Sequence, residues 1–387
     1  MMRMDNRNAS GFYIYKKGLR QKKRPYAWFV IVAVLFFLLF YAYQRFTGSD
    51  EIVTSKNESP VPVRIERLVN DNRMFVSGWC TNEVFDLNYR TAKQFGVKRF
   101  LPFIGSTAYK EFFTLCLLQS NAIIAIDGVN LSSVRTFTYT FFNFMNNNSY
   151  YETTHERYSR RLFYAPFFNA ATARFRGGDT SVVRTLSNIT CTLRIDRKAH
   201  GDVTGLYDME TFGWMLNWRP NKALFTQVKT GLAVGKLEVP GDTFVLENVP
   251  FIAEFRAGIA PTRLSTERML AVCRHPWYGP IPVVVFASAP AGSAVGRAFY
   301  RFRGQWTPVP DIAVVHNDQT RVTTAESTNG TVIAFTPRYT LAKRAGMMYP
   351  VTDSTKQHGT VRITFRYYGD IISADGIGMR EKARSLW

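Results

Sequence analysis

From residue 61 onward the chain alternates apolar and polar side chains residue by residue, in short runs broken by turn-forming residues. Val61-Pro62-Val63-Arg64-Ile65-Glu66-Arg67 is the first such run, and Thr136-Phe137-Thr138-Tyr139-Thr140-Phe141 is another. Ile189-Thr190-Cys191-Thr192-Leu193-Arg194-Ile195-Asp196 and Val361-Arg362-Ile363-Thr364-Phe365-Arg366-Tyr367 each set four side chains of apolar body on one face. A period of two is the signature of strands with one buried face. Pro240-Gly241-Asp242 separates two further runs, and Gly241-Asp242 is expected as a two-residue hairpin loop. Asp375-Gly376 predicts a second turn, and Gly235 inside a strand pattern predicts a bulge. Residues 82–96 and 262–273 are read as short helices. Many short strands over more than 300 residues predict a mainly β chain of two barrel or sandwich units. Acidic Asp208 and Glu210 before Phe212-Gly213-Trp214 place the expected boundary near residue 210, giving units at 61–210 and 211–387.

The N-terminus has a different pattern. Residues 25–43 form a run of nineteen without a charge, enough for a helix across a hydrocarbon core of about 30 Å. Tyr26 and Trp28 stand at one end, and Tyr41 and Tyr43 at the other, where aromatic belts form. Residues 1–24 carry eight Lys or Arg against Asp5. This basic tail is expected to stay cytoplasmic, so that 25–43 acts as a type II signal-anchor, 44–60 as a stalk, and the rest is luminal or extracellular, at an endomembrane or the plasma membrane. The run is longer than a signal-peptide core and lacks small residues at a cleavage position. A mitochondrial presequence followed by an inner-membrane anchor is the rival reading of the same basic, acid-poor tail. Asn57, Asn130, Asn147, Asn188 and Asn329 each begin an N-x-S/T acceptor for glycosylation, which fits a secretory lumen.

Composition narrows this picture. Hydrophobic residues make up 46% and aromatics 15%, with 31 Phe and 19 Tyr, which favours a large sheet core over disorder. The net charge is +20; the tail holds +7 of it, and the remainder is scattered as arginine. Scattered arginine, as in Arg157-Tyr158-Ser159-Arg160-Arg161 or in the alternating residues 297–303, reads as a solvated surface and not as a nucleic-acid site. Cys80, Cys116, Cys191 and Cys273 form no CxxC and have no histidine at ligand spacing, so no metal is expected. They are either buried thiols or two disulfides drawn from three pairings.

From Lys110 to the end the chain resembles the family known as domain of unknown function 2804. The resemblance rests on Lys110-Glu111-Phe112-Phe113 leading into a long apolar stretch, Thr226-Gln227-Val228-Lys229, Gly235 and the hairpin at Gly241-Asp242. Arg256-Ala257-Gly258-Ile259-Ala260-Pro261, Gly359, Gly378-Met379-Arg380-Glu381 and the terminal Trp387 continue it in order. The chain departs where Glu254-Phe255 stands for Asp-Trp, and where Glu267-Arg268-Met269-Leu270 replaces a Trp-rich strand. That family is similar to calycin-like proteins, among them hydroxyneurosporene hydratases, AttH-type proteins and lipocalin-like cyclases. The resemblance implies two consecutive antiparallel lipocalin-like β-barrels after the N-terminal helix.

No nucleophile elbow, P-loop, HExxH or dinucleotide fingerprint is present, and no cofactor is expected. Glu254, His275 and Glu381 are the catalytic candidates, because a carboxyl or imidazole held in an apolar pocket can protonate an alkene. Trp214, Trp218, Arg256, Trp277 and Trp306 are the candidates for lining a ligand pocket. The expected function is a membrane-anchored, non-enzymatic barrel pair that binds a hydrophobic small molecule or lipid. The alternatives are a hydratase- or cyclase-like lyase or isomerase on a polyene or terpenoid-like substrate, and a structural or interaction domain with side-chain-filled barrels.

Overall fold

The computed structural model describes residues 26–47, 62–84, 88, 91, 109–130, 134–157, 173–177, 180–185, 187–195, 197–219, 222–259, 263–288, 295–345 and 351–386. Helix α1, Tyr26–Thr47, is a separate compact unit from the chain that follows Gly48. It runs 22 residues, or about 33 Å, and so continues through 44–47, where a stalk was expected. Its side chains are described over residues 28–40, where nearly all are exposed and apolar. Among the described residues no helix is long and apolar enough to cross a membrane. The basic tail and residues 48–60, with Asn57, lie outside the described residues.

Among the described residues the other named elements are strands. The first sheet contains β1 (Trp79–Cys80), β2 (Tyr109–Leu118), β3 (Ala122–Asn130), β4 (Val134–Asn143) and β5 (Asn148–Arg157). It continues with β6 (Ala173–Gly177), β7 (Thr180–Arg184), β8 (Asn188–Ile195), β9 (Ala199–Arg219), β10 (Lys222–Val239) and β11 (Asp242–Ile259). The order is β5-β4-β3-β2-β11-β10-β9-β8-β7-β6, with β1 beside β9. Two antiparallel meanders are thus joined where β2 pairs with β11. The sheet curls until its far strands meet: the Tyr139 hydroxyl on β4 donates to Thr180 Oγ1 on β7 at 2.5 Å.

The second sheet closes completely. Its strands are β12 (Arg263–His275), β13 (Gly279–Ser288), β14 (Val295–Phe302), β15 (Gln305–His316), β16 (Thr323–Glu326), β17 (Val332–Ala345), β18 (Val351–Tyr367) and β19 (Asp370–Leu386). Each pairs with the next, and β19 returns to pair with β12, which removes every free edge. The interior is filled by Ile281, Val283, Ile333, Phe335, Ile363 and Phe365. The alternating run at 361–367 therefore does place its apolar face inward, and the chain stays in the ladder to Leu386.

Several expectations need correction. The boundary expected near residue 210 falls inside β9, and the sheets change over between Ile259 and Arg263; the acidic and aromatic cluster at 208–214 is part of that strand. Of residues 262–273, those described lie in β12 instead of a helix, because the ladder to β13 and β19 overrides a weak local preference. The run at 61–67 joins no strand in its described part. The apolar stretch 114–125 is two strands around a turn at Gln119–Asn121. The β10–β11 loop is Pro240-Gly241, one residue earlier than expected, with Gly241 at φ +86°. Asp375-Gly376 lies within β19, where Gly376 permits close strand approach: a Cβ there would lie 2.1 Å from the Val272 carbonyl oxygen. Gly235 marks the expected irregularity, a register shift between Ala233 and Gly235. Most of 82–96 lies outside the described residues.

Candidate functional site

Strand alternation gives the first sheet two apolar faces. Its convex face meets the closed barrel through Trp214, Leu224 and Ile252, which pack with Leu270, Phe299 and Met379. Its concave face encloses Phe113, Leu115, Phe137, Phe225, Ala253 and Phe255. The described segment 62–84 plugs this concave space with Ile65, Leu68, Val69, Phe75 and Val84. Two asparagines fix the plug's backbone. Asn82 accepts from Ile65 N at 3.1 Å and donates to its carbonyl at 2.7 Å, and Asn88 holds Val69 in the same way at 2.8 and 2.7 Å.

Polar side chains interrupt the concave face at one place. On β10, Gln227 and Lys229 share the inward register of Phe225, and on β7 Arg184 shares that of Val182. The Arg184 and Lys229 side chains are each 2% exposed. Both meet Glu83, which the plug sends inward: Lys229 Nζ donates to its Oε2 at 2.8 Å, and Arg184 pairs with its Oε1. Arg184 also donates to Gln227 Oε1 at 3.2 Å and lies 4.8 Å above the Phe255 ring. Lys229 Nζ lies 4.4 Å from the centre of the Tyr207 ring.

Burial, and then the neighbouring Arg184 guanidinium, pull the Lys229 ammonium down to about 7. Burial raises the Tyr207 phenol, against the opposing pull of Arg184. The result is a cationic, hydrogen-bonding spot in an aromatic chamber, with one amine able to exchange a proton near neutrality. Outside the plug, a groove of ≈ 620 Å³ is lined by Pro62, Val63, Arg64, Glu66, Thr81, Asn82 and Glu83.

The expected site residues are elsewhere. Glu254, Arg256 and Glu381 do come together, between the sheets, around Arg268. Arg268 donates to Glu381 at 2.6 Å, to Asp127 at 2.8 Å and to Thr114 Oγ1 at 2.7 Å, and pairs with Glu254. Lys356 pairs with Asp127, and Arg256 lies 3.7 Å from Glu254. Three cations thus face three carboxylates. Burial alone would raise the Glu381 carboxyl, but Arg268 and then Lys356 bring it below its usual range, opposite to what a general acid needs.

Trp214 and Trp306 are buried in the apolar layer between the sheets, and the Trp218 side chain lies outside the described residues. His275 and Trp277 sit at the β12–β13 turn, with Trp277 88% exposed, so they line no enclosed pocket. All four cysteines are buried free thiols. Among the described residues no group of three or more His, Cys, Asp or Glu is placed to hold a metal. Of the glycosylation acceptors, Asn147 and Asn329 are exposed, Asn188 is half-buried, and the Asn130 amide donates to buried Glu111 at 2.7 Å. Gln227 and Lys229 were in view in the sequence within the Thr226-Gln227-Val228-Lys229 motif, whereas Arg184 follows adjacent Val182 and Val183 in a strand without alternation. Glu83 had no such signal, since it reaches the site from outside the sheet.

The sequence matches no protein-family model and no curated protein. Among solved structures, the fold is similar to a protein designated AttH from Nitrosomonas europaea, with a TM-score of 0.50 at 12% identity, covering 72% of this chain and 93% of that one. It is equally similar to kievitone hydratase from Nectria haematococca, with a TM-score of 0.50 at 12% identity, covering 73% and 91%. The fold is lipocalin-like; where the resemblance implied two barrels, the second sheet closes and the first is a curled sheet ending in β5 and β6. At this identity the likeness extends to fold and no further.

Proposed function

We propose that the protein is a membrane-tethered β-barrel protein that binds a hydrophobic small molecule or lipid within its first β-unit. The observation that carries this is the cationic spot at Arg184, Lys229 and Gln227 on an otherwise aromatic and aliphatic concave face. Binding sites for small apolar ligands have this composition, apolar walls with a few placed polar groups. The second barrel, filled by its own side chains, serves as the support against which the first sheet curls. Organic extraction of the purified protein, followed by mass spectrometry, tests the reading. An amphiphile should be recovered in near-stoichiometric amount, and much less from a Phe255→Arg variant. Recovery of none from repeated preparations would reject it.

Lys229 favours one alternative, a lyase or hydratase on a polyene or terpenoid-like substrate, because an amine poised near 7 beside a carboxylate can deliver a proton. Under this reading Lys229→Met abolishes turnover while leaving substrate binding measurable. We also propose kinship with the domain of unknown function 2804 family, supported by the ordered motifs from Lys110 onward and by the lipocalin-like fold.

The tether rests on the uncharged run at 25–43, the basic tail before it and the helical backbone at Tyr26–Thr47. In intact microsomes, added protease should spare the β-rich part. An N-glycan amidase should raise gel mobility, chiefly through exposed Asn147 and Asn329. Digestion without detergent would reverse the orientation. An unchanged band with mitochondrial fractionation would favour the presequence reading.

A further inference from the structure

We infer that one end of the closed barrel, formed by its β12–β13, β14–β15 and β18–β19 turns, docks on a phospholipid surface. Trp277, Tyr368 and Ile371 enter the interface, and Arg274, Arg303 and Arg366 meet lipid phosphates. This rests on the membrane-tether reading above, because the surface meant is that of the membrane holding the chain's own helix.

The three turns meet through their rings. Tyr278 and Phe302 lie 4.9 Å apart between ring centres, Phe302 and Tyr367 5.0 Å, and Tyr367 and Tyr368 4.6 Å. Phe302 is buried and Tyr367 half-buried, so these two cap the barrel interior. Outside this cap Tyr368 is 93% exposed, Trp277 88% and Ile371 68%; the first two are the most exposed large apolar side chains described. The β18–β19 hairpin also projects. Its ladder to β12 ends at Arg274 and Asp375, and its ladder to β17 at Val332 and Thr364, so the tip beyond pairs only with itself.

Folding does not call for these side chains at these places. Tyr368 and Gly369 form a two-residue loop between Tyr367 and Asp370, with φ of +49° and +92°. Arg303 and Gly304, at +50° and +85°, form the same kind of loop between Phe302 and Gln305. Asparagine or aspartate suits the first position of such a loop, whereas a bulky side chain is strained there. Tyr368 accepts that strain while burying almost none of its ring.

The chemistry of the patch selects a lipid surface. Trp and Tyr join an apolar ring to a polar end, which suits the headgroup boundary of a bilayer. Arg274, Arg303 and Arg366 are exposed among these rings, and Asp370 is the one acidic residue of the three turns. Arg303 also donates to the Tyr367 hydroxyl at 2.9 Å, which holds the guanidinium beside the cap. Asp375, across from Arg274, is held by Arg362 at 2.7 and 3.0 Å. The patch is thus cationic, complementary to lipid phosphate. A protein partner would favour aromatics packed in pockets of a closely fitted surface; side chains on separate projecting tips suit a fluid layer. The fourteen residues between Thr47 and Pro62 reach at most about 50 Å, which keeps such a surface close at hand.

The test uses the full chain in nanodiscs of phosphatidylcholine, with or without phosphatidylserine, whose acyl chains carry bromine as a short-range quencher. The emission of Trp277 is read as the difference between wild type and Trp277→Phe. Brominated lipid should quench it, and more strongly when phosphatidylserine is present. Arg274→Ser and Arg366→Ser should each lower the ratio of docked to free protein about fivefold in the anionic discs. Tyr368→Asn separates docking from a structural role: it should weaken quenching of Trp277 yet raise the denaturant midpoint, because asparagine suits a positive φ. A lowered midpoint for that variant, or an unquenched Trp277 in both lipids despite incorporation into the discs, would overturn the docking and leave the tether standing. A chain that does not enter the discs would overturn the tether and the docking with it. Shielding of Trp277 only when two copies share a disc would give the patch to a second copy and overturn the lipid assignment.

Discussion

Arg268 on β12 and Asp127 on β3 meet at 2.8 Å across the layer between the two sheets, although 141 residues separate them in sequence. Thr114 joins them, accepting from Arg268 and donating to Asp127 at 2.7 Å each. The surrounding layer is apolar, so the cluster's members bond chiefly to one another, with Glu254 Oε1 left without a hydrogen-bond partner among the described residues. Arg268 is held far above its ordinary range by Glu381, Glu254 and Asp127, which outweigh its burial.

Removing Arg268 should therefore cost more than removing a surface arginine. Arg268→Met leaves three carboxylates facing only Lys356 and Arg256, and stability should fall by roughly 3–5 kcal/mol. Arg268→Lys, which keeps the charge but loses the fork, should fall between Met and wild type. Urea unfolding of the three proteins measures this, and a loss under about 1 kcal/mol for the Met variant would show the cluster to be replaceable by apolar packing.

His358 predicts a pH dependence. Its ring lies 6.0 Å from Phe142, is 1% exposed, and has no hydrogen-bond partner for either nitrogen among the described residues. Burial, and then Lys356, lower its pKa from 6.5 to about 4, with Asp127 opposing them. Between those values the unfolded chain binds a proton that the folded chain refuses, so stability falls as pH drops through this window and is unaffected above it. The loss at pH 4 is on the order of 3 kcal/mol. Asp127, whose folded pKa is depressed by Lys356 and Arg268 despite burial, loses its contribution at lower pH still. Chemical denaturation at pH 7 and pH 4.5 should show a smaller difference for His358→Phe than for wild type. Equal differences would mean that water or a rearrangement satisfies the imidazole.

The class of the fold was legible because strands buried on one face record it as alternation; the runs at 136–141 and 361–367, and 189–195 of the run at 189–196, lie in ladders. Residues 61–67 alternate as clearly, yet the described part joins no strand, since alternation records a face and not a partner. The site was less legible. Glu254 and Glu381 were singled out as catalytic candidates, but their surroundings depend on Arg268, Asp127 and Lys356, brought beside them by non-local pairing. Arg268 stood out in the sequence only as a departure where aromatic residues were expected.

The cysteines give an independent check on the interior. Burial pushes the Cys80, Cys116, Cys191 and Cys273 thiols up to about 12 each, which suppresses the reactive thiolate. A thiol reagent at pH 8 should leave the folded protein unlabelled and modify all four cysteines after denaturation without reductant. Labelling of only two would reveal a disulfide.

The closure of the second barrel rests on β19, and Gly376 is the tighter of that strand's two glycines. β19 pairs with β12 on one side and β18 on the other, so its removal leaves two long unpaired edges and takes Met379 out of the layer between the sheets. At Gly376 the neighbouring backbone approaches so closely that an added Cβ would lie 2.1 Å from the Val272 carbonyl oxygen and 2.4 Å from the Cys273 Cα. Neither atom belongs to a side chain that can turn away, so the strand itself must shift. Gly376→Ala should therefore destabilise by about 1–3 kcal/mol, although alanine suits most strand positions better than glycine. Gly369, in the β18–β19 turn, is the control for general glycine effects in another sense: a Cβ there meets nothing within 4 Å, but φ is +92°, so Gly369→Ala tests backbone strain without crowding. Deleting residues 369–387 should abolish cooperative unfolding of the second barrel and yield aggregating protein. If Gly376→Ala unfolds at the wild-type denaturant midpoint, β12 and β19 are not packed as closely as described, and closure must depend on other strands.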